Sequence, residues 1–306
     1  MTAPPTTDAP VTPGPRRRRL PDWGLGYLFL LPALVIFGVF IFFPFAKNFE
    51  LALYRSPPFP GLPRTYVGFR QITDVLGSGD FRHSLWTTVL FGLLTVPTGI
   101  ALGLVLAVLA NQRLRGVAIY RTIFASTVAT SVAVASVIFG TLMNPQVGLL
   151  PWVGINPSPA ILDNPSWALP AVAIATVWQN LGLSFILMSA GLQAVPGDVL
   201  EAAEIDGAGP VTRFWRVTVP LLSPTIFFAV VVGSIFAFQT FGQIDLLTRG
   251  GPQNKTNVLT YFIVTQLREH QNPGTAAVLS IALFLITLLL TLAQLRLLER
   301  RVHYAR

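Results

Sequence analysis

The sequence SLWTTVLFGLLTVPTGIALGLVLAVLA, from Ser84 to Ala110, contains no Asp, Glu, Lys, Arg or His. Roughly 18 such residues in a row are enough for a helix to cross a lipid bilayer. Over the whole chain, 52% of residues are hydrophobic and only 11% are charged, whereas soluble domains usually carry about a quarter charged residues. The sequence therefore indicates an integral membrane protein.

Five further apolar runs have the length of membrane spans. Their approximate bounds are 23–46, 122–144, 167–195, 221–244 and 275–295. One more apolar run, Val258–Leu267, is too short to span, and it predicts an interfacial or re-entrant helix. The expected fold class is all-α, a polytopic membrane protein with six transmembrane helices.

The amino terminus differs in composition from the rest of the chain. Residues 1–20 are rich in Pro, Thr and Ala and include the cluster Arg16–Arg19, so they predict a disordered basic tail. A basic cluster before an apolar run is also typical of a signal peptide. The run that follows is too long and lacks a small-residue cleavage site, so a retained first span is the better interpretation. Residues 21–306 are then one transmembrane domain.

The distribution of basic residues predicts the orientation. With both termini in the cytoplasm, thirteen Lys and Arg residues fall in cytoplasmic segments and eight in longer outer loops. This asymmetry fits the positive-inside rule. It also accounts for the net charge of +8 without a nucleic-acid partner. The absence of cysteine excludes disulfides, iron–sulfur clusters and thiolate catalysis.

Small residues predict close helix packing in two spans. The third span is rich in Ala, Ser and Thr between Ala125 and Ser136, so we expect it to be buried in the bundle. Gly99 and Gly103 in the second span match the GxxxG pattern. In an apolar helix this match is either a packing face or a chance occurrence.

The sequence PGDVLEAAEIDGAGP, positions 196–210, predicts a short helix–turn–helix between the fourth and fifth spans. Asp198 and Glu201 fit a variant of the capping box that starts a helix. Gly207 suits the left-handed position that ends one. Pro210 suits the first turn of a second helix running toward Pro220.

This stretch resembles the EAA loop of ABC importer permeases. The matching residues are Glu201, Ala202, Ala203, Gly207, Val217, Val219 and Pro220, with valines where the family usually has Ile and Leu. The resemblance implies a type I importer permease fold in a bacterial plasma (inner) membrane. It also implies that loop 196–220 couples transport to a separate ATPase. The coupling residues would be Glu201, Ala202, Ala203, Glu204, Asp206, Gly207 and Pro220.

The resemblance also implies the partners. They are a second related permease, two copies of an ABC ATPase and a substrate-binding protein on the outer face. ATP and Mg²⁺ would be bound by the ATPase, so this chain would need no cofactor and would not be an enzyme. The nearest approach to a P-loop here, Gly251–Thr256, lacks the second glycine that phosphate binding requires.

Weaker cues point to the carbohydrate-uptake group and, within it, to the first permease of glycerol-3-phosphate and glycerophosphodiester importers. The segment Ile205–Pro224, Gly250–Pro252 and the tail Glu299–Val302 resemble the carbohydrate-uptake group. Within that group, the tail and Ile244–Asp245 most resemble the first permease. Glycerol-3-phosphate or glycerophosphodiesters such as glycerophosphocholine are then the expected substrates, and a di- or oligosaccharide is the alternative. An ion-coupled secondary transporter is a remote alternative, because such proteins place Asp, Glu or His inside their spans.

Polar and aromatic residues in the fourth and fifth spans predict a substrate pathway. They are Trp178, Gln179, Asn180 and Ser184, and Phe238, Gln239, Thr240, Phe241 and Gln243. Amides bind hydroxyl groups, and aromatic rings bind a choline-type cation. Alternatively, the amides hold helices together. Gln179 and Asn180 differ by about 100° around a helix, so we expect one of the two to face a cavity.

Overall fold

The computed structural model describes residues 22–57, 63–111, 116–152, 154 and 157–298. The expected tail at 1–20 and the cue at Glu299–Val302 lie outside these residues. The described part of the chain is helical apart from two short strands, β1 (Tyr54–Arg55) and β2 (Thr65–Tyr66), which pair antiparallel. The all-α fold class is therefore confirmed.

Two compact units divide the chain, one ending at Asn48 and the other starting at Phe49. In the first, helix α1 (Asp22–Phe37) passes through a π-helical turn (Gly38–Phe42) into α2 (Phe43–Leu51). The segment Phe29–Leu51 is long and apolar enough to cross a membrane.

The second unit holds the remaining elements. From Arg70 they are α3 (Arg70–Leu76), α4 (Gly79–Ala110), α5 (Val117–Ser126), α6 (Val132–Leu142), α7 (Leu149–Trp152), α8 (Ala168–Gln193), α9 (Gly197–Ile205), α10 (Pro210–Arg213), α11 (Val219–Leu221), α12 (Ser223–Phe238), α13 (Gly242–Leu247), α14 (Leu259–Arg268) and α15 (Pro273–Leu298). Four described helices are long and apolar enough to span a membrane, and the number reaches six if each of two bent helix pairs is one span.

The third span is broken rather than continuous over 122–144. Helix α5 runs through a 3₁₀ turn (Thr127–Ala129) and meets α6 at 105°. At the break Thr130 and Ser131 are extended, and the Ser131 hydroxyl accepts a hydrogen bond from the backbone N–H of Val134 at 3.2 Å. Ser and Thr favour such breaks because their hydroxyls compete with helical hydrogen bonds.

The bend also makes the expected burial of the third span wrong. Ala135 and Ser136 are its only buried residues within the described chain. The reason is geometric, because the two halves diverge and only short parts of each pack against α8 and α13.

The fifth span ends earlier than expected, at Phe238 rather than 244. The backbone N–H groups of Gln239 and Thr240 still bond into the last turn of α12. The Phe238 carbonyl accepts a hydrogen bond from the hydroxyl of Thr260 in α14, at 2.7 Å. A side chain from another helix thus satisfies a carbonyl at the end of α12.

Helices α4 and α8 form the closest pair in the bundle. A Cβ atom at Gly103 would lie 2.6 Å from the Cβ of Ser184 and 2.8 Å from its carbonyl carbon. Only a glycine permits this approach of the two backbones. The GxxxG match is therefore a packing face at Gly103, whereas a Cβ at Gly99 would meet only the Ser184 Oγ, at 3.9 Å.

Candidate functional site

A cavity of about 420 Å³ lies between α4, α8, α12 and α13. Four amide side chains line it, together with hydroxyls and two phenylalanine rings. The amides are Gln179, Asn180, Gln239 and Gln243; the hydroxyls are Thr95, Thr176, Ser184 and Thr240; the rings are Phe236 and Phe241. None of the described lining residues is ionisable. The wall can offer hydrogen bonds and ring faces but no formal charge.

Three of the four amides are already engaged within the chain. Gln243 donates from Nε2 to Oε1 of Gln179, and Gln179 donates from Nε2 to the carbonyl of Thr130 at 3.3 Å. Asn180 donates from Nδ2 to the carbonyl of Thr176 at 2.9 Å. The two Gln179 bonds tie α13, α8 and the break in the third span together, as the helix-binding alternative predicts, whereas the Asn180 bond lies within α8. Gln179 and Asn180 both line the cavity, so the expectation that only one does is wrong.

Gln239 is different from the other amides. It caps the end of α12, its side chain is exposed, and its amide has no hydrogen-bond partner among the described residues. An amide without a partner at a cavity wall is available to bind a ligand hydroxyl or phosphate oxygen. Gln239 is therefore the cavity residue best placed to contact a substrate.

An aromatic pair lies beside the cavity. The ring of Phe241 stacks on Tyr261 of α14, with centroids 5.9 Å apart and an angle of 19°. Burial raises the pKa of Tyr261, Glu269 and Asp245 raise it further, and Arg249 opposes them. The phenol therefore stays neutral at physiological pH and supports the position of Phe241.

Trp178 is not part of the cavity wall, although the sequence analysis placed it in the pathway. Its ring packs against Phe139 of α6, with centroids 5.5 Å apart. The Trp178 ring therefore points toward α6 rather than into the cavity. Phe238 is also absent from the described lining and is buried instead.

The contribution of α4 to the cavity was not predicted from the sequence. Thr95, Val96, Gly99 and Ile100 line it. A signal for this face is present in the sequence, because Gly92, Thr95, Gly99 and Gly103 recur at helical spacing and are all buried. A stripe of small residues in an otherwise Leu-rich helix indicates the side that faces other helices.

The predicted helix–turn–helix is present after α8. Helix α9 ends in a Schellman motif, in which Ala208 N–H bonds to the Ala203 carbonyl and Gly207 N–H to the Glu204 carbonyl, both at 3.0 Å. Gly207 has φ +81°, which favours glycine. Pro210 occupies the first turn of α10, as expected. The capping-box prediction is wrong, because α9 starts at Gly197 and Pro196 precedes it with no side-chain cap.

Helix α9 has no buried residue. Ile205 at its end is 82% exposed. Glu201 has no ion-pair partner among the described residues, whereas Glu204 accepts a bond from Arg213 Nη1. One carboxylate therefore fixes the turn between α9 and α10, and the other is available to a partner.

The comparisons with known proteins agree with this geometry. Residues 99–304 match the family described as binding-protein-dependent transport system inner membrane component. The sn-glycerol-3-phosphate transport system permease protein UgpA of Rhizobium meliloti (strain 1021) is 36% identical over 289 residues, which cover 93% of this chain and 98% of that protein. The protein of the same name from Yersinia enterocolitica is 36% identical over 285 residues, 92% of this chain and 96% of the relative.

Two crystal structures share the fold. A bacterial ABC transporter involved in import of the acidic polysaccharide alginate superposes with a TM-score of 0.78 at 22% identity, covering 91% of this chain and 96% of that chain. The alginate transporter in complex with a pentasaccharide-bound periplasmic protein gives 0.80 at 21% identity, covering 93% and 97%. The chain therefore belongs to the family of binding-protein-dependent transport system inner membrane components, the multi-pass permease subunits of ABC importers, which are transport components without an ATPase site of their own.

Proposed function

We propose that this chain forms half of the translocation pathway of an importer for glycerol-3-phosphate or glycerophosphodiesters such as glycerophosphocholine. The support is the 36% identity over nearly the whole chain to permeases named for sn-glycerol-3-phosphate transport. A second, related permease would supply the other half. Two ABC ATPases and an extracytoplasmic binding protein would complete the complex.

The uncharged cavity favours one member of this substrate class. A phosphate monoester carries about −1.5 to −2 charges at neutral pH. Burying such a charge without a counter-ion is costly, and the described wall has none to offer. Glycerophosphocholine has no net charge, because its quaternary ammonium balances its phosphodiester. Phe236 and Phe241 could hold the ammonium by cation–π attraction while Gln239 binds the glycerol or phosphate oxygens.

A di- or oligosaccharide is the second candidate. Amides and aromatic rings are also suited to sugar hydroxyls and to the C–H face of a sugar ring. The likeness to the alginate importer concerns the fold, because the identity is only 22%. The lack of charge in the wall is compatible with neutral sugars.

Coupling would run through α9. We propose that α9 docks in a cleft of the ATPase on the cytoplasmic side, where both termini also lie. The small Ala202 and Ala203 permit close approach, and Glu201 can bind a cationic group of the ATPase by a charge-assisted hydrogen bond. Asp206, Gly207 and Pro220 would fix the position of α9 relative to α12.

The test is the ATPase activity of the complete importer in lipid nanodiscs with its binding protein. Glycerophosphocholine, glycerol-3-phosphate and a panel of disaccharides would be added in turn to wild type and Gly207→Arg. We expect the strongest stimulation with glycerophosphocholine and none in the variant. ATPase stimulation by a disaccharide alone would show that the substrate is a sugar rather than a glycerol phosphodiester. Full stimulation of the Gly207→Arg ATPase activity would contradict the role of α9.

A further inference from the structure

Four exposed side chains lie close together in sequence, from the residue before β2 to the first residue of α3. They are Arg64, Tyr66, Phe69 and Arg70, here called the 64–70 patch. Phe69 is 76% exposed and Tyr66 is 63% exposed. Aromatic residues and arginine are the types most enriched where protein interfaces carry their binding energy. Nothing in the proposed transport cycle yet uses this patch.

The patch and α9 lie at opposite ends of α12. The amino end of α12 follows the segment α9–α11. At its carboxyl end, the Phe238 carbonyl accepts a hydrogen bond from the Thr260 hydroxyl of α14. Helix α14 leads directly to the start of α15, where Gly274 donates its backbone N–H to the Ser56 hydroxyl beside β1. If α9 meets the ATPase in the cytoplasm, the 64–70 patch faces the outer side.

The patch is held rigidly. Tyr66 pairs with Tyr54 across the two strands, and their rings meet edge to face at 5.3 Å. Arg55 of β1 forms a 2.9 Å ion pair with Asp74 of α3. A surface that is ordered before binding loses less entropy when a partner docks. Rigid attachment therefore favours a role in recognition.

The patch is also anchored to a membrane span. Gln71, next to Arg70, is only 3% exposed. A Cβ atom at Gly274 would lie 2.5 Å from the Gln71 Nε2. Ile72 and Val75 pack against Ala277 and Val278 of α15. A force applied to the patch would therefore reach α15 directly.

The charge of the patch indicates the chemistry of its partner. Asp74 is the only acidic residue in 63–76, and it is paired with Arg55. Arg64 and Arg70 have no ion-pair partner among the described residues. Arginine binds carboxylates through two parallel hydrogen bonds. The partner surface should therefore present carboxylates around a pocket for an aromatic ring.

We infer that the 64–70 patch is the docking surface of this chain for the importer's substrate-binding protein, an inference that rests on the proposed function. A lipid surface fits less well. Membrane-surface binding normally uses a helix with one apolar and one basic face, whereas here the four side chains come from the residue before β2, from β2 itself and from the start of α3, which has only seven residues. Docking on the patch would place the binding protein where its movement acts on α15.

The test measures the affinity of the purified binding protein for the complete importer in zwitterionic and in anionic nanodiscs, at low and high salt. The variants are Arg64→Glu/Arg70→Glu and Phe69→Ser. The matched control, Leu267→Ser/Arg268→Glu, changes an exposed apolar residue and an exposed cation at the same end of the molecule. ATPase activity without binding protein reports that each variant is assembled.

We expect each patch variant to raise Kd by about tenfold or more, as for interface hot spots, with the control within about twofold of wild type. The charge-reversed variant should also lose most of the salt dependence. Wild-type affinity in the patch variants, or an equal loss in the control, would overturn the inference. A change seen only in anionic nanodiscs would overturn it in favour of lipid. Failure of the wild type to bind would instead overturn the proposed function.

Discussion

The contact of Gly103 with α8 gives a sharp prediction about what holds the bundle together. In Gly103→Ala the new Cβ would lie 2.6 Å from the Ser184 Cβ, 2.8 Å from its carbonyl carbon and 3.1 Å from the Phe185 nitrogen. Two of these three atoms belong to the backbone of α8. The helices must therefore separate, because no side-chain rotation relieves the clash.

Gly99→Ala is the matched control on the same face of the same helix. Its Cβ would meet only the Ser184 Oγ, at 3.9 Å, which is an ordinary contact. Both variants gain the same helix propensity, about 1 kcal/mol in the interior of a helix in water. Overpacking costs about 1–3 kcal/mol. The difference between the variants therefore isolates the packing cost, and Gly103→Ala should be less stable than Gly99→Ala by that amount.

The assay is the free energy of unfolding in mixed micelles, obtained by SDS titration and followed by tryptophan fluorescence. Adding Ser184→Gly to Gly103→Ala should restore part of the loss, because it removes the Cβ contact and leaves the contact with the carbonyl carbon. Ser184→Gly alone serves as the reference. Equal stability of Gly103→Ala and Gly99→Ala would refute the assignment of α4 and α8 as a glycine-dependent contact.

Three further variants test other parts of the structure. Gln239→Ala should lower substrate-stimulated ATPase activity and leave stability unchanged. Gln243→Ala should lower the free energy of unfolding by about 1 kcal/mol, because it removes the bond to Gln179. The reverse pattern would show that the two amides have been assigned the wrong roles. Gln71→Leu should leave the melting temperature unchanged or raise it. Neither the oxygen nor the nitrogen of the buried amide has a partner among the described residues, and an unsatisfied polar group costs about 1–3 kcal/mol. A clear loss of stability would indicate a bound water. At Gly207, where φ is +81°, Asn should preserve more uptake than Ala, because Asn adopts the left-handed conformation more readily; equal activity would show that the conformation of this residue is unimportant.

The membrane class and the helix–turn–helix after α8 could be predicted from the sequence because both depend on local pattern. Long uncharged runs indicate burial in lipid. Gly207 and Pro210 indicate backbone conformations that few other residues adopt. The structure places both residues as expected. The start of α9 was predicted wrongly because Asp198 and Glu201 suit both a capping box and an exposed helix surface.

The break in the third span and the early end of the fifth were not predicted, because they depend on contacts between distant residues. The break at Thr130 and Ser131 contains no Gly or Pro that would mark it, and the bend there is held by the Gln179 amide and by the bond from Gly182 N–H to the Thr127 hydroxyl, at 2.7 Å. The end of α12 likewise depends on Thr260, which is 22 residues away from Phe238.

Only part of the cavity was predicted, because the rest also depends on contacts between distant residues. The amides of α8 and α12–α13 are conspicuous in apolar spans, and all four line the cavity. Which amides are bonded to one another depends on how the helices pack. That packing cannot be read from local sequence patterns. The packing of Trp178 against Phe139 of α6 could not be predicted, because composition alone does not fix the rotation of a helix.

Transport in proteoliposomes tests the central claim most directly. The complete importer would be reconstituted with ATP and Mg²⁺ enclosed on the side that α9 faces, with binding protein and labelled glycerophosphocholine on the other side. The account predicts accumulation of glycerophosphocholine that requires ATP and is lost in Gly207→Arg. Accumulation that needs an ion gradient and no ATP would contradict it, as would ATP hydrolysis that moves no glycerol phosphodiester and no sugar.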